Sequence, residues 1–171
     1  MEQLGKQKRN LLLFVVSFFG SGLISNKMPG TIGSVFATLI LLVLPKTTYL
    51  TLILSVATFF IGWLFCELYI PKYETNRDPG YIVIDEACGI FLGASLIYAF
   101  GLTSIFAIIG NLFLFRFFDI WKPFPIRNIE KYLAKNSKTI ALGIMLDDMI
   151  AAFFGTAIQI ALIEIFQDLN F

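Results

Sequence analysis

Five carboxylates stand where an apolar chain rarely carries them. Asp147 and Asp148 lie in the stretch Gly143 to Ala152, at the start of an apolar run that continues to Phe166, while Asp85 with Glu86, and Asp119, hold similar places at the ends of two other apolar runs. If those runs cross a bilayer, each acid must be solvated, paired or bound to a metal. Cations accompany them: Arg116, Asp119 and Lys122 recur every third residue, which places them on one helical face just before Pro123, and Arg127 follows shortly after. Clustered Asp and Glu oxygens without His or Cys suit a hard cation such as Mg²⁺. Arg116, Lys122 and Arg127 suit phosphate oxygens. A further phosphate contact is expected at Thr31, Gly33 and Ser34, where an apolar run opens and free backbone N–H groups point outward. Each cluster alone has a plainer explanation, such as a solvated helix end, an interfacial anchor or a break between two helices. Together, at one depth, they suit phosphoryl transfer, in which a protein positions the group, neutralises its charge and activates a water.

The composition requires a membrane to hold these residues. Of 171 residues 57% are hydrophobic and 15% charged, with a mean hydropathy of +0.79, whereas soluble domains carry roughly 25% charged residues. An all-α, polytopic membrane protein is expected, forming one domain over residues 1–171. The runs Thr31 to Pro45, Thr47 to Ile70, Tyr81 to Phe100, Thr103 to Trp121 and the last run to Phe166 make about five crossings. Before them, Leu11 to Phe19 is too short to cross and reads as an interfacial or re-entrant helix. The stretch from Gly20 to Ser34, punctuated by Gly20, Gly22, Pro29, Gly30 and Gly33, reads as a break.

Orientation follows from the basic residues. With residues 20–33, 71–80 and 122–140 in the cytosol and the turns near Lys46 and Gly101 outside, Lys46 alone of thirteen Lys and Arg residues falls outside. All the acid clusters then reach the cytosolic face. On the run Tyr81 to Phe100, Glu86, Gly89 and Gly93 share a face, so a neighbouring helix can approach closely beside the acid.

Several designs are excluded. The chain has no histidine, so no imidazole base, nucleophile or ligand exists. A cysteine phosphatase needs an Arg six residues after its nucleophile, and those positions after Cys66 and Cys88 are Lys72 and Ala94; both cysteines read as small buried side chains. No two aspartates are separated by one residue, which leaves water activated by a metal as the best supported attack. A small ion-coupled transporter is the alternative, since it also uses intramembrane acids. Against it, Ser55 to Trp63 and Ile105 to Leu114 carry no ionisable residue at mid-depth. A scaffold protein would leave the charge clusters unexplained. The net charge of +1 identifies no partner; a phospholipid in the membrane is expected, and no nucleic acid.

The segments Pro29-Gly30-Thr31-Ile32-Gly33-Ser34, Asp78-Pro79-Gly80 leading into Ile82-Val83-Ile84-Asp85-Glu86, Phe115-Arg116-Phe117-Phe118-Asp119-Ile120-Trp121-Lys122-Pro123-Phe124-Pro125-Ile126-Arg127, and Gly143-Ile144-Met145-Leu146-Asp147-Asp148 occur in this order over nearly the whole chain. In these the sequence resembles the phosphatidylglycerophosphatase A family. The resemblance implies a Mg²⁺-dependent phosphatase of the bacterial inner membrane that converts phosphatidylglycerophosphate to phosphatidylglycerol. Its acidic positions correspond to Asp85, Glu86, Asp119, Asp147 and Asp148, and its basic ones to Arg116, Lys122 and Arg127. A second proline often found before the family's Pro-Gly-Thr is replaced here by Ser25-Asn26-Lys27.

The topology gives a first prediction. In intact cells of a strain carrying the chain with Cys66 and Cys88 replaced, Lys131→Cys should be protected from an impermeant thiol reagent and a cysteine near the C-terminus should be labelled; the reverse pattern would remove the shared cytosolic site.

Overall fold

A computed structural model describes residues 2–74, 79–124, 126–133 and 139–168. Asp78 of the Asp-Pro-Gly stretch, Pro125 of the Pro-Phe-Pro stretch, and Lys135 and Lys138 of the basic loop lie outside these residues. The described chain is all helical, with α1 Glu2–Val16, α2 Pro29–Val43, α3 Thr48–Tyr73, α4 Ile84–Ala99, α5 Ile105–Trp121, α6 Ile126–Leu133 and α7 Ile140–Asp168, plus one 3₁₀ turn at Ser21–Leu23.

Two helices, α3 and α7, are long and apolar enough to cross a membrane. Only 22% of the apolar window of α3 and 28% of that of α7 is buried inside the protein, so neither is the enclosed helix of a water-soluble core. Tyr49, Ile53, Phe60 and Leu64 on α3 and Phe153, Leu162 and Ile165 on α7 face outward, a surface suited to lipid. Two of the other expected crossings are shorter than their apolar runs. α4 and α5 have 16 and 17 residues, about 24 and 26 Å of helix against a hydrocarbon core of about 30 Å. Tyr81 to Val83 and Leu102 to Ser104 are apolar or small yet serve as connections rather than helix.

The centre is α4. Ile84, Asp85, Ala87 to Phe91, Gly93 to Ser95, Ile97 and Tyr98 are all buried, because α2, α3, α5 and α7 each pack on it. A helix apolar on all sides is stable when enclosed by protein, as here, or by lipid. Polar side chains tie two neighbours to α4 and two to each other: Ser55 Oγ of α3 donates to Cys88 O at 3.2 Å, Asn111 Nδ2 of α5 to Ile90 O at 3.2 Å, and Gln159 Nε2 of α7 to Ala107 O of α5 at 2.7 Å. Such bonds and small residues replace the hydrophobic effect, which is weak between helices in lipid. Cys66 and Cys88 are both buried, as their apolar setting suggests.

The segment read as a break through Ser34 is shorter than expected. Phe18, Phe19 and Gly20 have positive φ and reverse the chain after α1, but α2 begins at Pro29 and takes Gly30 and Gly33 into the helix. Proline at the first helical position loses no hydrogen bond, so it starts this helix instead of ending one. The glycines are accommodated because neighbours press against them: a Cβ on Gly33 would lie 2.7 Å from Val83 Cβ. Near the turn into α4, burial raises the pKa of the Tyr81 hydroxyl, with its hydrogen bond to Glu74 adding to the effect, so it remains a donor.

Gly33→Ala should therefore lower the thermal midpoint in detergent, by the equivalent of about 1–3 kcal/mol for an overpacked contact. Gly5→Ala on α1 meets no atom within 4 Å and should be neutral or slightly stabilising.

Candidate active site

The first turn of α4 carries Asp85 and Glu86 into the interior. Asp85 is 8% exposed and Asp148, from α7, 3%. Carboxylate oxygens of Asp85, Glu86 and Asp148 lie within 4.8 Å of one another, a group of ligands that could hold a metal ion. The close approach of α7 and α5 depends on Gly89, where a Cβ would lie 2.5 Å from the Phe115 ring and 3.1 Å from Asp148 O. The shared face of Glu86 and Gly89 expected from the sequence thus has a direct packing use.

Asp119 and Arg116 enter from the last turns of α5. Arg116 Nη1 is 2.6 Å from Asp119 Oδ2 and 3.6 Å from Glu86 Oε1, and Asp119 lies close to Asp148. Asp119, Asp85 and Asp147 all lie within electrostatic reach of Asp148. Five carboxylates thus gather around two cations, Arg116 and Lys122. Carboxylates in contact need a shared proton or a cation between them. Glu86 Oε2 and Asp148 Oδ2 are buried without a hydrogen-bond partner among the described residues. These oxygens supply the donor type that Mg²⁺ or another hard cation takes, so the residues fit such an ion.

Asp147 occupies a different place from its neighbour. Lys122 Nζ meets Asp147 Oδ2 at 2.5 Å, joining the end of α5 to α7. The sequence placed Lys122 on the helical face of Arg116 and Asp119. In the structure it is the residue after the helix, in the left-handed region at φ 44°, ψ 62°, with its N–H donating to Phe118 O. A side chain held at positive φ costs roughly 1–3 kcal/mol and persists where surrounding contacts fix it. Here the ion pair does so.

The phosphate-binding candidates divide. Gly33 packs on Val83, and the Ser34 hydroxyl donates to Gly30 O at 2.8 Å within α2. Thr31 is half-buried and Arg127 is exposed on α6. Gly30, absent from the candidate site read from the sequence, lies against the acids: a Cβ there would collide with Glu86 Oε1 and lie 3.1 Å from Arg116 Nη1. Its place beside Pro29 in the Pro-Gly-Thr segment was the available signal. The helix α6 was also unexpected; buried Ile126 and half-buried Leu133 are one face of it, and Leu133 packs on Gly143 at the start of α7.

Oxygen ligands and two cations gathered among the helices of an apolar bundle are the equipment of a membrane-associated phosphatase. The chain belongs to the phosphatidylglycerophosphatase A family, whose model matches residues 14–163, and it is a phosphatase. It is 35% identical over 146 residues to the phosphatidylglycerophosphatase A of Haemophilus influenzae, covering 84% of this chain and 83% of that protein. It is 31% identical over 144 residues to that of Escherichia coli K12, covering 82% and 76%. A Bacteroides thetaiotaomicron protein provisionally named a phosphatidylinositol-3-phosphatase is 28% identical over 153 residues, covering 87% and 91%. No solved structure matches the chain.

The Lys122–Asp147 pair can be measured with a double-mutant cycle. Lys122→Ala and Asp147→Ala should each lower kcat/KM, and their coupling should be about 1.5–3 kcal/mol, the range of a charge-assisted hydrogen bond. Additive effects would show that the pair does not act as a unit.

Proposed function

We propose that this chain hydrolyses the terminal phosphate monoester of phosphatidylglycerophosphate, giving phosphatidylglycerol and inorganic phosphate, at the cytosolic face of a bacterial inner membrane. The observation that carries the reading is the convergence of Asp85, Glu86 and Asp148 oxygens within 4.8 Å of one another beside Arg116. Two relatives named for this activity, each above 30% identity across most of their length, support it. The bundle would cross the membrane about five times, with α2, α4 and α5 shorter spans among α3 and α7 and with α1 at the surface.

Asp85, Glu86 and Asp148 would hold Mg²⁺, with Asp119 beside them. In such a site the bound ion polarises a phosphoryl oxygen and activates water. Arg116 keeps its guanidinium beside Asp119 and Glu86, where a phosphate brought to the acids meets positive charge before it meets their like charge. Lys122, positioned by Asp147, adds a second cation and helps to neutralise the charge that grows on the departing oxygen. Thr31, Gly33 and Ser34 lie on α2, whose first turn reaches the site through Gly30; its N-terminal dipole favours an anion there. Arg127, exposed on α6, would meet the second phosphate of the headgroup at the membrane surface. Packed apolar helices around α4 keep bulk water from the acids, which strengthens each of these interactions.

The transporter reading fares less well. Polar side chains at mid-bundle, Asn111, Thr156 and Gln159, are uncharged, and the buried acids collect instead where α4 begins, α5 ends and α7 begins.

Turnover of phosphatidylglycerophosphate by the purified full chain should require a divalent cation. Asp148→Asn and Glu86→Gln should each reduce kcat by at least about 10²-fold, the scale of losing an electrostatic catalytic group, whereas Glu164→Gln near the far end of α7 should act like the parent. Full activity in Asp148→Asn, or hydrolysis unaffected by a chelator, would reject the assignment.

A further inference from the structure

An open groove of about 640 Å³ runs beside the acid cluster, lined by Phe113, Arg116, Phe117, Ile120 and Trp121. Their spacing puts them on one broad face of α5, over about 12 Å of helix axis, close to the depth of one leaflet's hydrocarbon at about 15 Å. The apolar four remain outward, with Phe113 70%, Phe117 53%, Ile120 72% and Trp121 64% exposed. Phe117 and Trp121 meet with ring centroids 5.3 Å apart, forming a continuous aromatic wall.

Arg116 belongs to both places. Its Nη1 contacts Asp119 and Glu86 in the acid cluster, while its Nε is buried without a hydrogen-bond partner among the described residues. A groove that is apolar along its length and cationic where it meets the acids matches an amphiphile with an anionic headgroup. Inorganic phosphate would make no use of the aromatic wall. A neutral lipid would make no use of the arginine.

We propose that this groove is the lateral approach for the lipid substrate: one acyl chain lies against Phe113, Phe117, Ile120 and Trp121, and the phosphate monoester passes Arg116 on its way to the carboxylates. The inference rests on the lipid phosphatase reading and adds to it the face by which substrate leaves the bilayer. It also makes Phe117 and Trp121 residues that select for a long chain.

The chain has two tryptophans, which makes the test direct. Trp63 is on α3, where it pairs with Phe60 away from the groove, so Trp63→Phe leaves Trp121 as the reporter and Trp121→Phe leaves Trp63. In phosphatidylcholine nanodiscs, a lipid with brominated chains and a non-hydrolysable phosphonate headgroup should quench Trp121 several-fold more strongly than brominated phosphatidylcholine at the same mole fraction. Trp63 should be quenched equally by both. Phe117→Ala should raise KM for a long-chain phosphate monoester about five-fold and reduce the preference for long over short chains, while Phe60→Ala should change neither. Equal quenching of Trp121 by the two lipids, or equal KM in the Phe117 and Phe60 variants, would overturn the groove. Failure of the parent protein to hydrolyse any lipid phosphate monoester would instead count against the proposed function.

Discussion

Placing like charges at the start of the most enclosed helix constrains everything around it. Asp85 and Glu86 open α4, and an ionised carboxylate in an apolar interior is tolerated only with compensating charge or hydrogen bonds at contact distance. Compensation must come from other helices, since α4 carries no cation. Arg116 comes within reach from α5, and α2 passes close enough that a Cβ at position 30 would displace the Glu86 carboxylate. The absence of a side chain at Gly30 and Gly89 thus lets α2, α5 and α7 pack closely around the acid-bearing turn of α4.

The two cations divide the work. Arg116 stands within the acid cluster and contacts acids from two helices, whereas Lys122 forms a clasp with Asp147 at the edge, where its own side chain is 25% exposed. The more enclosed position holds the planar, always charged guanidinium, which can serve two carboxylates at once. Lysine, a compact charge on a flexible stem, sits at the point where the chain must turn.

Residue types announced the chemistry better than spacing announced the geometry. Adjacent acids in apolar runs and the lack of histidine were visible in the sequence, and the acids do meet. Helix periodicity carried Glu86 and Gly89 correctly onto one packed face. It failed at Lys122, because periodicity assumes that the helix continues, and the backbone leaves it one residue before Pro123. It also overestimated α4 and α5: Tyr81 to Val83 are apolar enough to belong to a span, yet they are used in the turn that directs Asp85 inward. Hydropathy records preference for lipid, not the point at which a helix starts. The helix α6 escaped notice because its apolar face is only two turns long and lies in a basic stretch. For Gly30, the informative signal was what stands opposite, which no single sequence contains.

One backbone contact ties the N-terminal helix to this chemistry. Val83, the residue before α4, donates its N–H to Val16 O at 3.0 Å, just where α1 ends and the chain reverses through Phe18 and Phe19. Helix α4 thus takes its starting position from α1, two residues ahead of Asp85. A segment that by composition looks like a detachable surface tether is instead a mechanical reference point for the carboxylates. Cutting it away would leave an amide orphaned in an apolar setting and free the first turn of α4 to shift, so the length of chain needed for a functional enzyme begins well before the first acid.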